Sequence, residues 1–211
     1  GSAGIIENAR EGSVLIDMTT TSPKLSKRIY EAAARRGMAA LDAPVSGGDV
    51  GAEKGTLSIM VGGDEDVFKT CLPVFEAMGT NIIYEGGPGA GQHTKMANQI
   101  AIAGAVSGVC EALAYAKAVG LDEQTMLDSI SAGAAGSFQM SNTAPRILKN
   151  DFAPGFFVKH YIKDMKIARE EAEEASAHLE VLDKVLEMYE SLEKEGYGDL
   201  GTQALIKYYE Q

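Results

Sequence analysis

The sequence has few cysteines, few histidines and no grouping of the two that is typical of a metal site. Its two cysteines, Cys71 and Cys110, form no CxxC pattern, which favours two buried, reduced thiols in a cytoplasmic protein. The three histidines have no HExxH or similar spacing to carboxylates. We therefore expect no metal in the functional site.

Basic residues are also scarce, because 19 Lys and Arg stand against 30 Asp and Glu and give a formal net charge of -11. Such a surface repels phosphate backbones, so we expect no nucleic-acid partner. A strongly apolar run long enough for a membrane span, about twenty residues, is lacking as well. The most apolar stretch, residues 100–118, is rich in alanine and contains charged residues, which predicts a buried helix and no membrane insertion.

The first ninety residues alternate between short apolar runs and helical segments. A β-branched run at residues 14–17 is followed by a helical segment, 24–36, which Ser22 and Pro23 introduce as N-cap and first helical residue and Gly37 ends. Further strand candidates are residues 39–45, 57–61 and 81–84, with a glycine-rich loop after the first and a helix at 64–78 after the second. This alternation predicts an open α/β sheet covered on both faces.

From Gln92 onward the sequence patterns are helical only. The helical segments are residues 93–119, 122–132, 137–149, 158–176, 181–195 and 201–209. The first of them is apolar on all sides, so we expect it at the centre of an all-helical domain. The predicted domains are therefore 1–91, which is α/β, and 92–211, which is all-α.

Three segments could carry chemistry on their own residues, and the third, Lys163 and Asp164 at an aromatic-rich helix start, is by itself interpreted as an ordinary exposed pair. In the first, a strand candidate runs into Ser46, Gly47 and Gly48, where a parallel sheet would present its carboxyl edge. A serine hydroxyl and the N–H groups of two glycines can hold an anion there. A simple turn is the alternative interpretation of this loop.

In the second segment, Lys95 and Asn98 stand three residues apart at the start of the apolar helix, so they share one face of its first turns. The helix then becomes apolar, which predicts that Lys95 lies near or inside the protein. Desolvation and the positive helix end both favour a neutral amine, and this suits the lysine to proton exchange. The nearby Gly87, Gly89 and Gly91 have the spacing GxGxG and not the dinucleotide fingerprint GxGxxG, which predicts a hinge and helix cap.

Taken in order, the segments resemble the β-hydroxyacid dehydrogenase family, which includes 3-hydroxyisobutyrate dehydrogenase and tartronate semialdehyde reductase. The resemblance covers most of the chain and rests on residues 15–20, 42–55, 60–63, 89–98 and 163–165. The later segments 135–137, 152–156 and 208–210 are most similar to the tartronate semialdehyde reductase members. The resemblance implies the C-terminal part of a Rossmann-like NAD(P)-binding domain followed by an all-helical domain for substrate binding and dimerisation.

The resemblance also implies roles for individual residues. It makes Lys95 the catalytic residue and Ser46, Gly47, Gly48 and Asn98 the substrate-binding residues. Two further residues would contact the cofactor, Thr20 and Lys163, the latter beside Asp164. The implied activity is an NAD- or NADP-dependent interconversion of a small 3-hydroxy acid and its semialdehyde, most similar to tartronate semialdehyde reductase or 3-hydroxyisobutyrate dehydrogenase.

The family's N-terminal βαβ unit with its GxGxxG sequence is not found in this chain. At about thirty residues per βαβ unit, roughly ninety residues of such a domain are expected before Gly1. We therefore expect this chain to be a fragment that lacks activity by itself, and NAD cannot be distinguished from NADP here.

Two alternative interpretations of these motifs can be weighed against the residues of the chain. 6-Phosphogluconate dehydrogenase shares the Ser-Gly-Gly loop and the lysine, but it has a histidine before the motif asparagine where this chain has Ala97, and a longer helical domain. A non-catalytic oligomerisation or binding module of the same fold is the other alternative, and the presence of Lys95 argues against it. The helix rich in small residues favours close packing, either within the domain or in a homodimer or homotetramer.

Overall fold

The computed structural model describes residues 3–210, which divide between Ala97 and Asn98 into two compact units. The first unit is α/β and the second is helical, in agreement with the fold class expected from the sequence. The division lies inside a long helix that begins at Ala90, and the domain boundary after Gly91 stays a prediction.

Within residues 3–97, the structure contains five strands and four complete helices. After the short helix α1, strands and helices follow one another as the sequence pattern predicts, with one additional strand and helix at residues 45–54. The elements are α1 (Ile5–Asn8), β1 (Val14–Asp17), α2 (Pro23–Ala34), β2 (Ala39–Asp42), β3 (Val45–Ser46), α3 (Gly48–Lys54), β4 (Leu57–Gly62), α4 (Glu65–Glu76) and β5 (Gly79–Gly86).

The sheet is mixed, and the parallel edge expected at the loop of Ser46, Gly47 and Gly48 is wrong, because β3 runs antiparallel to β4. Strands β1 and β2 are parallel, as are β4 and β5, but β2 and β3 both run antiparallel to β4. Asp42, Val45 and Ser46 all pair with β4 in the same register. Strands β2 and β3 therefore form one continuous segment, which pairs first with β1 and then with β4. Pro44 interrupts this path because it has no N–H to donate to the ladder.

Both faces of the sheet are covered, as expected. One face packs its apolar residues with those of α4, and the other packs against α1 and α2. The buried residues of the first face are Leu41, Ala43, Leu57, Ile59, Val61, Cys71 and Phe75, and those of the second are Ala33, Met38 and Ala40.

Local sequence signals place the helix that follows β1. The Ser22 hydroxyl accepts a hydrogen bond from the Leu25 N–H at 3.2 Å, and Pro23 is the first helical residue. The predicted N-cap is therefore confirmed. In contrast, the glycine-rich loop predicted after Val45 is wrong, because it contains β3 and the seven-residue helix α3, whose N-cap is Gly47.

The second unit consists of helices packed around two buried tyrosines. Tyr161 and Tyr189 meet edge to face with ring centroids 5.2 Å apart, and the Tyr189 hydroxyl donates to the Thr202 carbonyl at 2.7 Å. The segment predicted as one helix at 137–149 is a π-helical turn followed by a short helix. The elements are the remainder of α5 (Ala90–Ala118), α6 (Glu123–Ser131), a π-helical turn (Gln139–Thr143), α7 (Ala144–Leu148), α8 (Val158–Glu174), α9 (Glu180–Leu192), a second π-helical turn (Glu193–Tyr197) and a 3-10 helix (Thr202–Glu210).

Helix α5 is buried on one side only, which corrects the expectation of a helix enclosed on all sides. Buried residues recur every three or four positions, whereas Ala101, Gly108 and Tyr115 are exposed. Helix α5 is long and apolar enough to cross a membrane, with a mean hydropathy of 1.4 over its most apolar window. The core helices of soluble proteins can meet the same criterion, and 39% of this window is buried.

Both cysteines are free and buried, as the sequence analysis predicts. Burial raises the pKa of the Cys110 thiol to about 12, and the nearby Glu111 carboxylate contributes a smaller part of this increase. A thiol of that pKa is uncharged and unreactive near neutral pH, which agrees with a packing role.

A GxGxxG spacing does occur near the C-terminus, at Gly196, Gly198 and Gly201. It follows helix α9 and precedes a 3-10 helix, so it lies in an α-helical unit and not between a strand and a helix. A dinucleotide fingerprint requires a βαβ unit, and this segment therefore does not supply one.

Candidate active site

The start of helix α5 is capped by a buried carboxylate from the sheet. Asp42, which is 5% exposed, lies where β2 passes from β1 to β4. Its two oxygens accept hydrogen bonds from the Gly89 N–H at 2.8 Å and the Gln92 N–H at 2.9 Å. The N–H groups at the start of a helix have no acceptor within that helix, so the Asp42 carboxylate serves as the cap. Residues 87–91 thus form a helix cap as predicted, and Asp42 is its hydrogen-bond acceptor, which the sequence did not indicate.

Glycines allow the helix to approach the sheet closely. A Cβ atom added at Gly62 would lie 2.7 Å from both the Asp42 Oδ1 and the Gly91 nitrogen. A Cβ atom at Gly91 would overlap the Met60 carbonyl oxygen and lie 2.8 Å from the Asp42 carbonyl oxygen. The obstacles at Gly91 include backbone atoms, which cannot rotate away, so this position requires glycine for packing.

We expect Gly91→Ala to destabilise the protein by about 1–3 kcal/mol, the usual range for an overpacked interior position. Gly87→Ala is the matched control, because an added Cβ there meets no atom within 4 Å. Urea unfolding of both variants, followed by circular dichroism, measures the difference. Equal unfolding midpoints for the two variants would show that the helix is not tightly seated.

Lys95 is buried, as the sequence analysis predicts for this position. Its side chain is 7% exposed, and its Nζ donates a hydrogen bond to the Val45 carbonyl oxygen at 2.9 Å. Val45 precedes Ser46 in β3, so the amine lies beside the predicted anion loop. The structure therefore brings together two candidate segments that are about fifty residues apart in the sequence.

The predicted anion loop has the backbone that its glycines permit. Gly47 and Gly48 have φ angles of 134° and 65°, which side chains other than glycine rarely adopt. Both residues are exposed, and Ser46 is half-buried. The loop therefore presents a hydroxyl and backbone N–H groups with no side chain at the two glycines.

Gln92 connects the loop after β1 to helix α5. It is fully buried, and its amide Nε2 donates to the Thr19 carbonyl at 2.7 Å while its Oε1 accepts from the Thr21 N–H at 3.2 Å. The two bonds enclose Thr20, the predicted cofactor contact. No local sequence signal identifies this role of Gln92.

In the second unit, a chain of polar side chains joins Asn98 to Lys163. The Asn98 amide donates to the Gln99 Oε1 at 2.7 Å, and the Gln99 Nε2 donates to the Asp164 Oδ2 at 2.7 Å. The Lys163 ammonium lies 3.0 Å from the other oxygen of Asp164, which is 1% exposed. Two predicted site residues are thus connected through Gln99 and Asp164, and the sequence analysis assigned a role to neither of these.

Comparison with known proteins places this geometry in a family. A family model described as the NAD-binding domain of NADP-dependent 3-hydroxyisobutyrate dehydrogenase matches residues 89–209. The chain belongs to the 3-hydroxyisobutyrate dehydrogenase family. A second model, described as the NAD binding domain of 6-phosphogluconate dehydrogenase, matches residues 1–86, so the first unit is part of a Rossmann-like NAD-binding domain.

Members of the 3-hydroxyisobutyrate dehydrogenase family resemble almost the whole chain. An uncharacterised oxidoreductase of Bacillus subtilis, YkwC, is 55% identical over 98% of this chain and 72% of its own length. The 2-hydroxy-3-oxopropionate reductase of Escherichia coli is 37% identical over 98% of this chain and 71% of its own length. A structure of Mycobacterium tuberculosis 3-hydroxyisobutyrate dehydrogenase with L-serine has a TM-score of 0.88 and 31% identity, covering 96% of this chain and 72% of that one.

Family membership establishes the general chemistry, which is that of NAD(P)-dependent oxidoreductases. It confirms the resemblance and fold class inferred from residues 15–20, 42–55 and 89–98. The roles predicted for Lys95, Ser46, Gly47, Gly48, Asn98, Thr20 and Lys163 remain predictions, because neither the family models nor the relatives assign them.

Proposed function

We propose that the protein interconverts a small 3-hydroxy acid and its semialdehyde, with Lys95 as the general acid and base. The observation that carries the proposal is the hydrogen bond from the Lys95 Nζ to the Val45 carbonyl, 2.9 Å, beside Ser46. A buried amine next to a loop of hydroxyl and N–H donors can serve a substrate that has a carboxylate at one end and a carbonyl near it.

In the proposed site, the Ser46 hydroxyl and the N–H groups of Gly47 and Gly48 hold the substrate carboxylate. Local donors are needed because the chain's net charge of -11 does not attract an anion by itself. The nicotinamide cofactor supplies or accepts the hydride when bound. During reduction the Lys95 ammonium gives a proton to the oxygen of the former aldehyde, and during oxidation the neutral amine takes the hydroxyl proton.

The residues near Thr20 fit part of a dinucleotide site. The loop from Thr19 to Thr21 follows the carboxyl end of β1, where ligands of open α/β sheets bind, and it offers neutral hydroxyl and backbone groups. Such groups suit the nicotinamide and ribose rather than the pyrophosphate. We assign Thr20 to this contact and keep Lys163 as a proposed cofactor contact and Asn98 as a proposed substrate contact in the second unit.

Two considerations support a short 3-hydroxy acid. L-Serine, present in the structure of the M. tuberculosis relative, and the product of a 2-hydroxy-3-oxopropionate reductase both carry a carboxylate and a hydroxyl on the third carbon. The three small donors at Ser46, Gly47 and Gly48 suit one carboxylate. A non-catalytic module is disfavoured, since such a module has no use for a buried lysine at this place.

The test is a steady-state assay of the full-length protein with tartronate semialdehyde, methylmalonate semialdehyde and succinate semialdehyde, each with NADH and NADPH. We expect turnover of the first two, in which the aldehyde and the carboxylate are attached to the same carbon. Succinate semialdehyde, which is one carbon longer, is expected to react at least about tenfold more slowly, because its aldehyde is displaced from Lys95. Failure of all three substrates would contradict the proposal.

The association state is a separate proposal. The exposed side of α5 carries small residues such as Ala101 and Gly108, which allow close helix packing. We propose a homodimer or homotetramer, and analytical ultracentrifugation of the full-length protein distinguishes either from a monomer.

A further inference from the structure

Gln92 makes an interaction that the mechanism above does not use. Its amide pairs with the backbone on both sides of Thr20, accepting from the Thr21 N–H and donating to the Thr19 carbonyl, as a neighbouring strand would. The chemistry of the two partners fixes the orientation of the amide, because only the NH2 group can donate to a carbonyl and only the oxygen can accept from an N–H. The side chain is fully buried, so these bonds are protected from competition by water.

The same residue is tied to the catalytic end of the site. Gln92 lies three residues before Lys95 in α5, within one turn of the same helix. Its own N–H donates to Asp42, which anchors that turn to the sheet. One helical turn therefore carries both the Lys95 amine and the group that holds the loop of Thr20. A shift of the loop relative to Lys95 would have to break both amide bonds.

We propose that Gln92 is a positioning residue that sets the Thr20 loop relative to Lys95 and thereby determines the affinity for the dinucleotide. The proposal rests on the proposed function, since Thr20 is taken as a cofactor contact. Without Gln92 the loop samples other conformations, and the cofactor must order it on binding. The expected consequence is weaker cofactor binding, with the chemical step itself largely unchanged once the cofactor is bound.

The experiment compares Gln92→Met with Gln203→Met in the full-length protein. Methionine has a similar length but makes neither amide bond. Gln203 is the matched control, because it is also buried and its amide donates to two loop carbonyls, those of Asp151 and Ala153, at 3.0 Å each. Direct binding of NADH and NADPH is measured by calorimetry, which requires no knowledge of the substrate.

For Gln92→Met we expect the dinucleotide Kd and KM to rise roughly tenfold or more, the effect of losing two neutral hydrogen bonds that order a loop. The kcat at saturating cofactor should stay within about threefold of wild type, and Gln203→Met should keep the wild-type Kd. Gln92→Glu retains an acceptor for Thr21 but places an oxygen against the Thr19 carbonyl, so it should raise the Kd at least as much.

A folded Gln92→Met variant with the wild-type Kd would overturn the proposal. If that variant does not fold, Gln92→Glu and hydrogen exchange of the Thr21 amide provide the decision, since exchange no faster than in wild type would also overturn it. Inactivity of the wild type toward every semialdehyde, with normal dinucleotide binding, would contradict the proposed function and leave the binding comparison for Gln92 intact. A wild type that binds neither dinucleotide would overturn both.

Discussion

Replacing Lys95 with methionine is expected to lower kcat for semialdehyde reduction by about a hundredfold to ten-thousandfold, the usual contribution of a general acid. Methionine preserves the length and the apolar stem of the side chain but has no proton to give. The Lys95 side chain is 7% exposed, so water cannot readily take the place of the amine. The measurement is steady-state reduction by the full-length protein at saturating semialdehyde and cofactor.

The control for this prediction is Lys54→Met, which removes an exposed lysine from the last turn of α3 in the same unit. We expect it to keep wild-type turnover, and both variants to bind NAD(P)H within about twofold of the wild type because neither removes a proposed cofactor contact. A Lys95→Met enzyme with near-wild-type turnover would exclude Lys95 from the acid and base role. Loss of cofactor binding together with turnover would point to a folding defect.

The sequence predicts those features that local signals encode. Ser22 and Pro23 identify the start of α2 because an N-cap and a first-turn proline act within four residues of one another. The burial of Lys95 could be predicted from the apolar residues that follow it in α5. The order of strands and helices follows from alternating apolar runs, and the resemblance of the motifs adds the family.

The polar contacts that hold the site together could not be predicted in this way. Gln92 contacts Thr19 and Thr21 over 73 and 71 residues of sequence, and Asp42 contacts Gly89 over 47. A glutamine at the start of a helix or an aspartate at the end of a strand has many possible partners, and no periodicity selects one. The antiparallel pairing of β3 was missed for a related reason, since nothing local in the strand candidate 39–45 shows that it divides at Pro44 and that Val45 and Ser46 pair with β4.

In the second unit, a contact between residues far apart in the sequence fixes the orientation of two side-chain amides. Because the Asp164 carboxylate can only accept, the Gln99 amide must direct its NH2 group toward Asp164 and its oxygen toward Asn98. Asn98 then donates to Gln99, which fixes the orientation of its own amide. Through Gln99, the Asp164 carboxylate therefore fixes the orientation of the Asn98 amide, and no local sequence pattern predicts this connection.

Removal of the Asp42 carboxylate is expected to have the largest effect on stability. In Asp42→Ala, the Gly89 and Gln92 N–H groups lose a charged acceptor in a buried place, and each such bond contributes about 1.5–3 kcal/mol. We therefore expect the free energy of unfolding to fall by about 3 kcal/mol or more, as measured by urea titration. Asp42→Asn should be intermediate, because one amide oxygen remains while the NH2 group faces a second donor.

The control is Asp66→Ala, since the Asp66 side chain is fully exposed in the first turn of α4 and lies 3.9 Å from the Lys69 ammonium. We expect that variant to change stability by less than about 0.5 kcal/mol. Because the turn that Asp42 caps leads directly to Lys95, a folded Asp42→Asn enzyme should also lose turnover, whereas Asp66→Ala should not. If Asp42→Ala unfolds at the same urea concentration as Asp66→Ala, the carboxylate is not what seats helix α5 on the sheet, and the placement of Lys95 must then come from packing at Gly62 and Gly91.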